Sequence, residues 1–120
     1  ADGVLLDVPC SGLGIIRRKP DIKWNYKSDP ELIRLQKEIL DNCCNYVKKG
    51  GTLVYSTCTV SPEENEDRIK TFLKEHQEFE LAPYQFEPGM ITPYENGTFV
   101  NTYPHIHGTD GFFTAKMVKR

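Results

Sequence analysis

Two apolar runs, each followed at once by polar and thiol side chains, constrain the fold of this chain more than any other feature. The first run is GVLL at residues 3–6, followed by DVPC at residues 7–10; the second is TLVY at residues 52–55, followed by STCT at residues 56–59. Neither run alternates polar with apolar residues, which is typical of strands buried on both faces of a parallel sheet. Because one long helical pattern lies between them, the sequence predicts a strand, a helix and a second strand joined by a right-handed crossover.

This crossover predicts a crevice that brings Asp7, Cys10 and Cys58 together. The carboxyl ends of parallel strands meet at one edge of a sheet, where open α/β sheets bind their ligands. A thiol at such a strand end can be activated by its neighbours, although a free cysteine is more often a small buried residue. Asp7 is consistent with a hydrogen-bond acceptor for a base or a cofactor amine, and also with a simple turn.

The residues between the two strands predict a helix that is capped by Ser28 or Asp29 and has Pro30 in its first turn. Apolar residues at helical spacing form its predicted buried stripe. The stripe comprises Leu32, Leu35, Ile39, Leu40, Cys43 and Val47. Two lysines and two glycines at residues 48–51 are typical of a helix C-terminus, so the helical pattern is predicted to close there.

The second half of the chain predicts one more helix and three short strands. The helix is predicted to start at residues 61–64, where a serine, a proline and two glutamates follow one another. Strands are predicted near residues 79–81, 99–102 and 112–118, and residues 83–97 are predicted to form an ordered loop. The last strand is predicted to be antiparallel, because no crossover helix precedes it.

Size, charge and cysteine usage narrow the class of protein. A chain of 120 residues buries a single core, and a formal net charge of -2 argues against a general binder of polyanions. No apolar run is long enough to span a bilayer, so no membrane partner is predicted. The four cysteines lack the spacing of a zinc site, which favours a reduced, cytoplasmic setting.

A dense basic cluster follows Cys10 on this otherwise slightly acidic chain. It comprises Arg17, Arg18, Lys19, Lys23 and Lys27, with Trp24 and Tyr26 among them. Basic side chains for phosphates and aromatic faces for bases suit single-stranded nucleic acid, so RNA contact is predicted here in preference to a merely solvated surface. His105 and His107 have no carboxylate or cysteine at ligand spacing, so no metal site is predicted.

Three motifs in this order resemble a known family. They are residues 7–12 together with 17–24, residues 55–66, and residues 107–113. They resemble the bacterial Sun-type 16S ribosomal RNA cytosine-5 methyltransferases, within the wider Sun and nucleolar-protein family. The resemblance implies the C-terminal half of a Rossmann-like class I α/β fold that uses S-adenosylmethionine, with a mostly parallel sheet and an antiparallel last strand.

The resemblance also implies a role for each residue of the crevice. Cys58 would be the nucleophile that attacks C6 of a cytosine in 16S ribosomal RNA, and Cys10 would help to resolve the covalent adduct. Asp7 would hold the base edge and lie against the cofactor.

The family's glycine-rich cofactor loop, catalytic lysine and ribose-binding acidic residue find no counterpart in the sequence. Residues 1–120 are therefore expected to be a partial catalytic domain that lacks the cofactor-binding half and is inactive alone. Two alternatives stay open. One is a non-catalytic RNA-binding module that uses the basic cluster, and the other is a thiol redox switch between Cys10 and Cys58.

Overall fold

A computed structural model describes residues 1–16, 18–21, 29–84, 94–96, 99–103 and 110–120, with the backbone alone described at 94–96. The helices in these ranges are α1 (Pro30–Cys43) and α2 (Glu66–Glu75), with 3-10 turns at Leu13–Ile15 and Cys44–Tyr46. The strands are β1 (Gly3–Asp7), β2 (Thr52–Thr57), β3 (Phe79–Ala82), β4 (Tyr94–Asn96), β5 (Phe99–Thr102) and β6 (Phe112–Lys119).

The strands form one sheet in the order β1-β2-β6-β5-β4, and β3 also pairs with β6. β1 and β2 are parallel in a register that runs from Gly3 opposite Thr52 to Asp7 opposite Ser56, with α1 in the connection between them. β6 is antiparallel to β2, β3 and β5. The predicted strand–helix–strand unit and the antiparallel last strand are therefore confirmed. Strand β4 corrects the prediction of an ordered loop over residues 83–97 at residues 94–96, while residues 85–93 and 97 lie outside the described ranges.

Both helices pack on the same face of the sheet. The core on that face includes Leu40 from α1 and Phe72 from α2, against Leu53 and Tyr55 of β2 and Met117 of β6. These five side chains are at most 1% exposed, so water is excluded from the contact between the two helices and this face of the sheet.

The opposite face of the sheet is far less covered, which corrects the prediction that both leading strands are buried on both sides. Leu5 of β1 is 70% exposed, and along β2 buried residues alternate with half-buried ones. A cleft of about 610 Å³ opens on this face and is lined by Val54, Ala82, Pro83, Tyr84 and Lys116. Alternation along the strands also puts the exposed Asp7 on this face.

Helix α1 begins as predicted but buries a different stripe. Asp29 caps it by accepting a hydrogen bond of 3.0 Å from the Glu31 backbone N–H, and Pro30 is its first residue. Leu35, predicted to be buried, is 42% exposed, whereas Gln36 is fully buried. The Gln36 side chain turns inward because its amide finds hydrogen-bond acceptors there. Leu40 and Val47 are buried as predicted, and after Cys43 the helix tightens into the 3-10 turn.

Helix α2 begins at Glu66, later than the predicted start at residues 61–64. Residues 62–65 form turns instead, because the side chains of Glu64 and Asn65 are drawn inward by hydrogen bonds to other segments. The predicted apolar face is confirmed, since Ile69 and Phe72 are buried and Leu73 is half-buried.

Candidate active site

Two thiols meet where β1 and β2 end. Cys10 Sγ lies 3.0 Å from Cys58 Sγ, and the Cys58 backbone N–H donates to Cys10 Sγ at 3.3 Å. Both residues are half-buried and neither is in a disulfide. The structure thus brings together the two cysteines that the sequence placed on neighbouring strand ends.

The strand ends themselves explain this meeting. The last ladder contact is the hydrogen bond of 3.1 Å from the Val8 N–H to the Ser56 carbonyl oxygen. Beyond it the Cys58 N–H donates to Cys10 Sγ rather than to a backbone oxygen of the neighbouring chain, so the backbone ladder ends where the two thiols meet. Asp7 lies opposite Ser56 at the same edge, with its side chain exposed.

Close backbone contacts fasten this edge from the side. The Gly14 N–H donates to the Cys58 carbonyl oxygen at 2.9 Å, and the Gly111 N–H donates to the Gly14 carbonyl oxygen at 2.6 Å. A Cβ atom at Gly14 would lie 1.8 Å from the Gly111 oxygen, so only glycine fits. Segments from all three sequence motifs therefore converge at Cys58.

A buried carboxylate that sequence reasoning missed lies behind the two thiols. Glu64 is 2% exposed, and its oxygens accept hydrogen bonds from Ser11, Gln36 and Thr59. The sequence pattern assigned Glu64 to the first turn of a helix. Its place within the second motif was a signal, but two of its three partners, Ser11 and Gln36, are far away along the chain.

The protonation of Cys10 is strongly biased. Burial, and then the hydrogen bond with Cys58, raise the pKa of the Cys10 thiol from 9.0 to about 12. Cys10 therefore remains a neutral thiol at physiological pH. Since the thiolate is the attacking form of cysteine, this shift disfavours nucleophilic attack by Cys10.

Much of the predicted RNA-binding cluster lies outside the described residues, including Arg17, Lys23 and Trp24. Lys19 is exposed, as an RNA-contacting residue requires. The Nε of Arg18 forms an ion pair with Asp110 Oδ2, while 60% of the Arg18 side chain stays exposed. This pair links the basic loop to the third motif, just before Gly111.

A group of potential metal ligands lies between the two helices. Asp41, Glu75 and His76 each offer one ligand atom, and these three atoms lie within 4.8 Å of one another. Lys37 Nζ contacts both carboxylates at 2.6 Å, so its single positive charge already offsets part of their negative charge. His105 and His107, for which no metal was predicted, lie outside the described residues.

Neither helix in the described ranges has the length and apolar character of a membrane span.

Comparison with known proteins gives concordant matches. The pattern of the family described as 16S rRNA methyltransferase RsmB/F matches residues 1–118. A Bacillus subtilis relative named probable ribosomal RNA small subunit methyltransferase B is 45% identical over 123 residues, covering 99% of this chain and 28% of the relative. A solved structure described as NSun6 from Pyrococcus horikoshii with SFG has a TM-score of 0.77 and 34% identity, covering 96% of this chain and 29% of that one.

A second solved structure, described as a methyltransferase homolog protein from Pyrococcus horikoshii, has a TM-score of 0.71 and 38% identity. It covers 99% of this chain and 39% of that one. The predicted Rossmann-like α/β class is thereby confirmed. The chain spans only 28% and 26% of the length of two curated relatives. Because the family pattern extends over both thiol-bearing strand ends and nearly all of β6, the chain belongs to the RsmB/F family of 16S rRNA methyltransferases.

Proposed function

We propose that the protein containing this chain transfers a methyl group from S-adenosylmethionine to C5 of a cytosine in 16S ribosomal RNA. The observation that carries the proposal is the 3.0 Å contact between Cys10 Sγ and Cys58 Sγ at the edge that also bears Asp7. The family and the names of its members support methyl transfer to ribosomal RNA. The neighbour solved with SFG, an S-adenosylmethionine analogue, supports the cofactor.

In the proposed reaction the Cys58 thiolate attacks C6 of the cytosine, a C6–S bond forms, and an electron pair becomes available at C5. S-adenosylmethionine, when bound, supplies the methyl group to that carbon. The C5 proton then passes to solvent water, with the Cys10 sulfur assisting its removal. The electron pair of the C5–H bond restores the double bond to C6, and Cys58 leaves as the thiolate.

The raised pKa of Cys10 supports this division of work. A sulfur that keeps its proton at neutral pH is unsuited to attack on C6, which leaves the attack to Cys58. The Cys10 sulfur lies 3.0 Å from the attacking sulfur, so it is placed beside the adduct when the C5 proton leaves.

Asp7 fits the remaining role at this edge. Its exposed carboxylate at the end of β1 can accept a hydrogen bond from the amino group of cytosine and can lie against the cofactor. We further propose that residues 1–120 are the C-terminal half of the catalytic domain and that the rest of the protein supplies the glycine-rich cofactor loop. Arg18, Lys19 and the undescribed Arg17, Lys23 and Trp24 would contact the RNA backbone and bases.

The test is mutation in the full-length protein, with 16S ribosomal RNA as substrate. We expect Cys58→Ala to abolish formation of 5-methylcytosine, and Cys10→Ala to accumulate a covalent protein–RNA adduct that survives denaturing electrophoresis. Cys43→Ala, a half-buried thiol of α1, is the matched control and should turn over normally. Normal turnover by Cys58→Ala would refute the proposal.

The non-catalytic RNA-binding alternative makes a different prediction with RNA that contains 5-fluorocytosine. The proposed enzyme becomes trapped covalently in the presence of the cofactor, because fluorine at C5 cannot leave as a proton. A pure binding module would bind the same RNA but release it on denaturation.

The sulfur contact of 3.0 Å also favours a second candidate, a redox switch built on the same pair. Oxidation by hydrogen peroxide would join the two sulfurs, remove both thiol hydrogens and reduce the peroxide to two molecules of water. The oxidised protein would lack a free nucleophile and be inactive until a dithiol reduced it. Mass spectrometry after mild peroxide treatment tests this candidate, and a protein that keeps both thiols would exclude it.

A further inference from the structure

The carboxylate of Glu64 makes an unusually complete set of hydrogen bonds for a buried acidic group. Its Oε1 accepts from the Ser11 backbone N–H at 2.8 Å and from Gln36 Nε2 at 3.0 Å. Its Oε2 accepts from Ser11 Oγ at 2.6 Å and from Thr59 Oγ1 at 3.2 Å. Within the described residues no lysine or arginine forms an ion pair with it. Neutral donors alone therefore satisfy this carboxylate.

Two of these donors lie directly beside the two cysteines in the sequence. Ser11 directly follows Cys10, and Thr59 directly follows Cys58. Gln36, on α1, also donates to the Pro9 carbonyl oxygen at 2.9 Å. One carboxylate thus holds the residues next to both sulfurs and ties them to the helix behind.

The neighbouring residues already anchor the segment that carries Glu64. The Tyr55 hydroxyl donates to the Glu64 carbonyl oxygen at 2.6 Å. Asn65 accepts from Thr57 Oγ1 at 2.6 Å and donates to the Thr59 carbonyl oxygen at 2.9 Å. The turn is therefore held without the Glu64 carboxylate, whose own contacts go to the two cysteine loops.

We propose that Glu64 is a positioning residue that sets the separation and orientation of Cys10 and Cys58. The inference rests on the proposed function, in which one sulfur attacks C6 while the other acts at C5 of the same base. A displacement of about 1 Å between reacting groups can cost on the order of 100-fold in rate. The hydrogen bonds of Glu64 to the loops that carry Cys10 and Cys58 therefore matter for turnover.

The test uses Glu64→Gln in the full-length protein. Glutamine keeps the shape of the side chain but removes its negative charge and one acceptor oxygen. Its amide N–H group either faces the N–H donors of Ser11 and Gln36 at the Oε1 position or donates to the hydroxyls of Ser11 and Thr59 at the Oε2 position. In both orientations the charge-assisted hydrogen bonds to the two cysteine loops are lost. Two variants serve as controls. Glu63→Gln removes the same charge from an exposed neighbour, and Ile69→Val loosens the core without touching the crevice.

The decisive readout is the effective concentration of one thiol towards the other, measured as the ratio of Cys10–Cys58 disulfide to dithiol in a glutathione redox buffer. This ratio reports the sulfur geometry and needs neither RNA nor cofactor. We expect Glu64→Gln to lower it about tenfold or more, and to lower kcat for methylation with little change in RNA affinity. Both control variants should keep the ratio of the unmodified protein.

A ratio that stays unchanged in Glu64→Gln while the melting temperature falls would overturn the proposal, because Glu64 would then be only a structural residue. If the ratio is lowered in Glu64→Gln but neither the unmodified protein nor any variant makes 5-methylcytosine, the positioning role is supported and the proposed function is refuted. The experiment therefore distinguishes a failure of the positioning role from a failure of the proposed function.

Discussion

At the scale of single residues, the chemistry of this chain depends on two sulfurs in contact. Cys10 is held as a neutral thiol because burial disfavours its charge and Cys58 shares a hydrogen bond with it. The backbone N–H of Cys58 points at Cys10 Sγ and favours the thiolate, but burial outweighs it. The surroundings of Cys10 thus suppress its reactive form at neutral pH.

The raised pKa of Cys10 predicts the pH dependence of its alkylation by iodoacetamide. The folded-state pKa of about 12 lies above the ordinary value of 9.0, so the reactive thiolate appears only as the pH rises through the higher value. At pH 9 the native thiolate fraction should be lower than that of the unfolded chain by a factor on the order of several hundred. Peptide mass spectrometry should show that the alkylation rate of native Cys10 still increases about tenfold per pH unit above pH 9, because the thiol is still mostly protonated there.

The same measurement on urea-unfolded protein is the control, because its rate should level off once the unfolded pKa is passed. A native rate that also levels off near pH 9 would contradict the assignment of a high pKa to Cys10.

At the scale of elements, the two helices are joined by charge as well as by apolar packing. Lys37 Nζ contacts Asp41 of the same helix and Glu75 of α2, and His76 Nε2 lies 3.0 Å from Asp41 Oδ1. Burial opposes ionisation of Asp41, but the hydrogen bonds from Lys37 and His76 outweigh it and hold its pKa below the ordinary value. The hydrogen bonds to Asp41 and Glu75 raise the pKa of Lys37.

We therefore predict that Lys37→Gln lowers the free energy of unfolding by about 0.5–1 kcal/mol at low salt, a modest value because these side chains are partly exposed. The contribution is present above the ordinary pKa of 3.8 and is lost as the pH falls through the lowered value of Asp41. Urea titrations at neutral and acidic pH measure it. Lys70→Gln, at an exposed position of α2, should have little effect, and equal losses in both variants would contradict the prediction.

At the scale of the whole molecule, the described chain is a sheet with one face covered by helices and the other left open. Leu5 is 70% exposed on the open face, beside the half-buried Val54. Since the curated relatives are more than three times as long as the alignment, we propose that another part of the full-length protein covers this face.

The prediction that follows concerns Leu5→Lys in the full-length protein. If the face is covered, a lysine there buries an unpaired charge, and the free energy of unfolding should fall by about 2–3 kcal/mol. Leu35→Lys, on the exposed side of α1, is the matched control and should cost less than about 0.5 kcal/mol. Similar costs at both positions, read from thermal melting, would show that the Leu5 face is open to water.

Local patterns in the sequence by themselves determined the two leading strands, the cap and start of α1, and the meeting of Cys10 with Cys58. They succeeded because apolar runs, caps and the crossover rule act over short stretches or follow from topology alone. Roles for Cys58, Cys10 and Asp7 came from the family resemblance and remain predictions.

Only the tertiary structure decided which polar side chains turn inward. Gln36 replaces Leu35 in the buried stripe, and Glu64 leaves its predicted helix, because the hydrogen bonds to Pro9, to Ser11 and between Gln36 and Glu64 join segments tens of residues apart. The open face around Leu5 was equally hidden from the sequence, since an apolar strand reads the same whether or not a second layer covers it. Contacts between distant segments carry this information, and no local pattern encodes them.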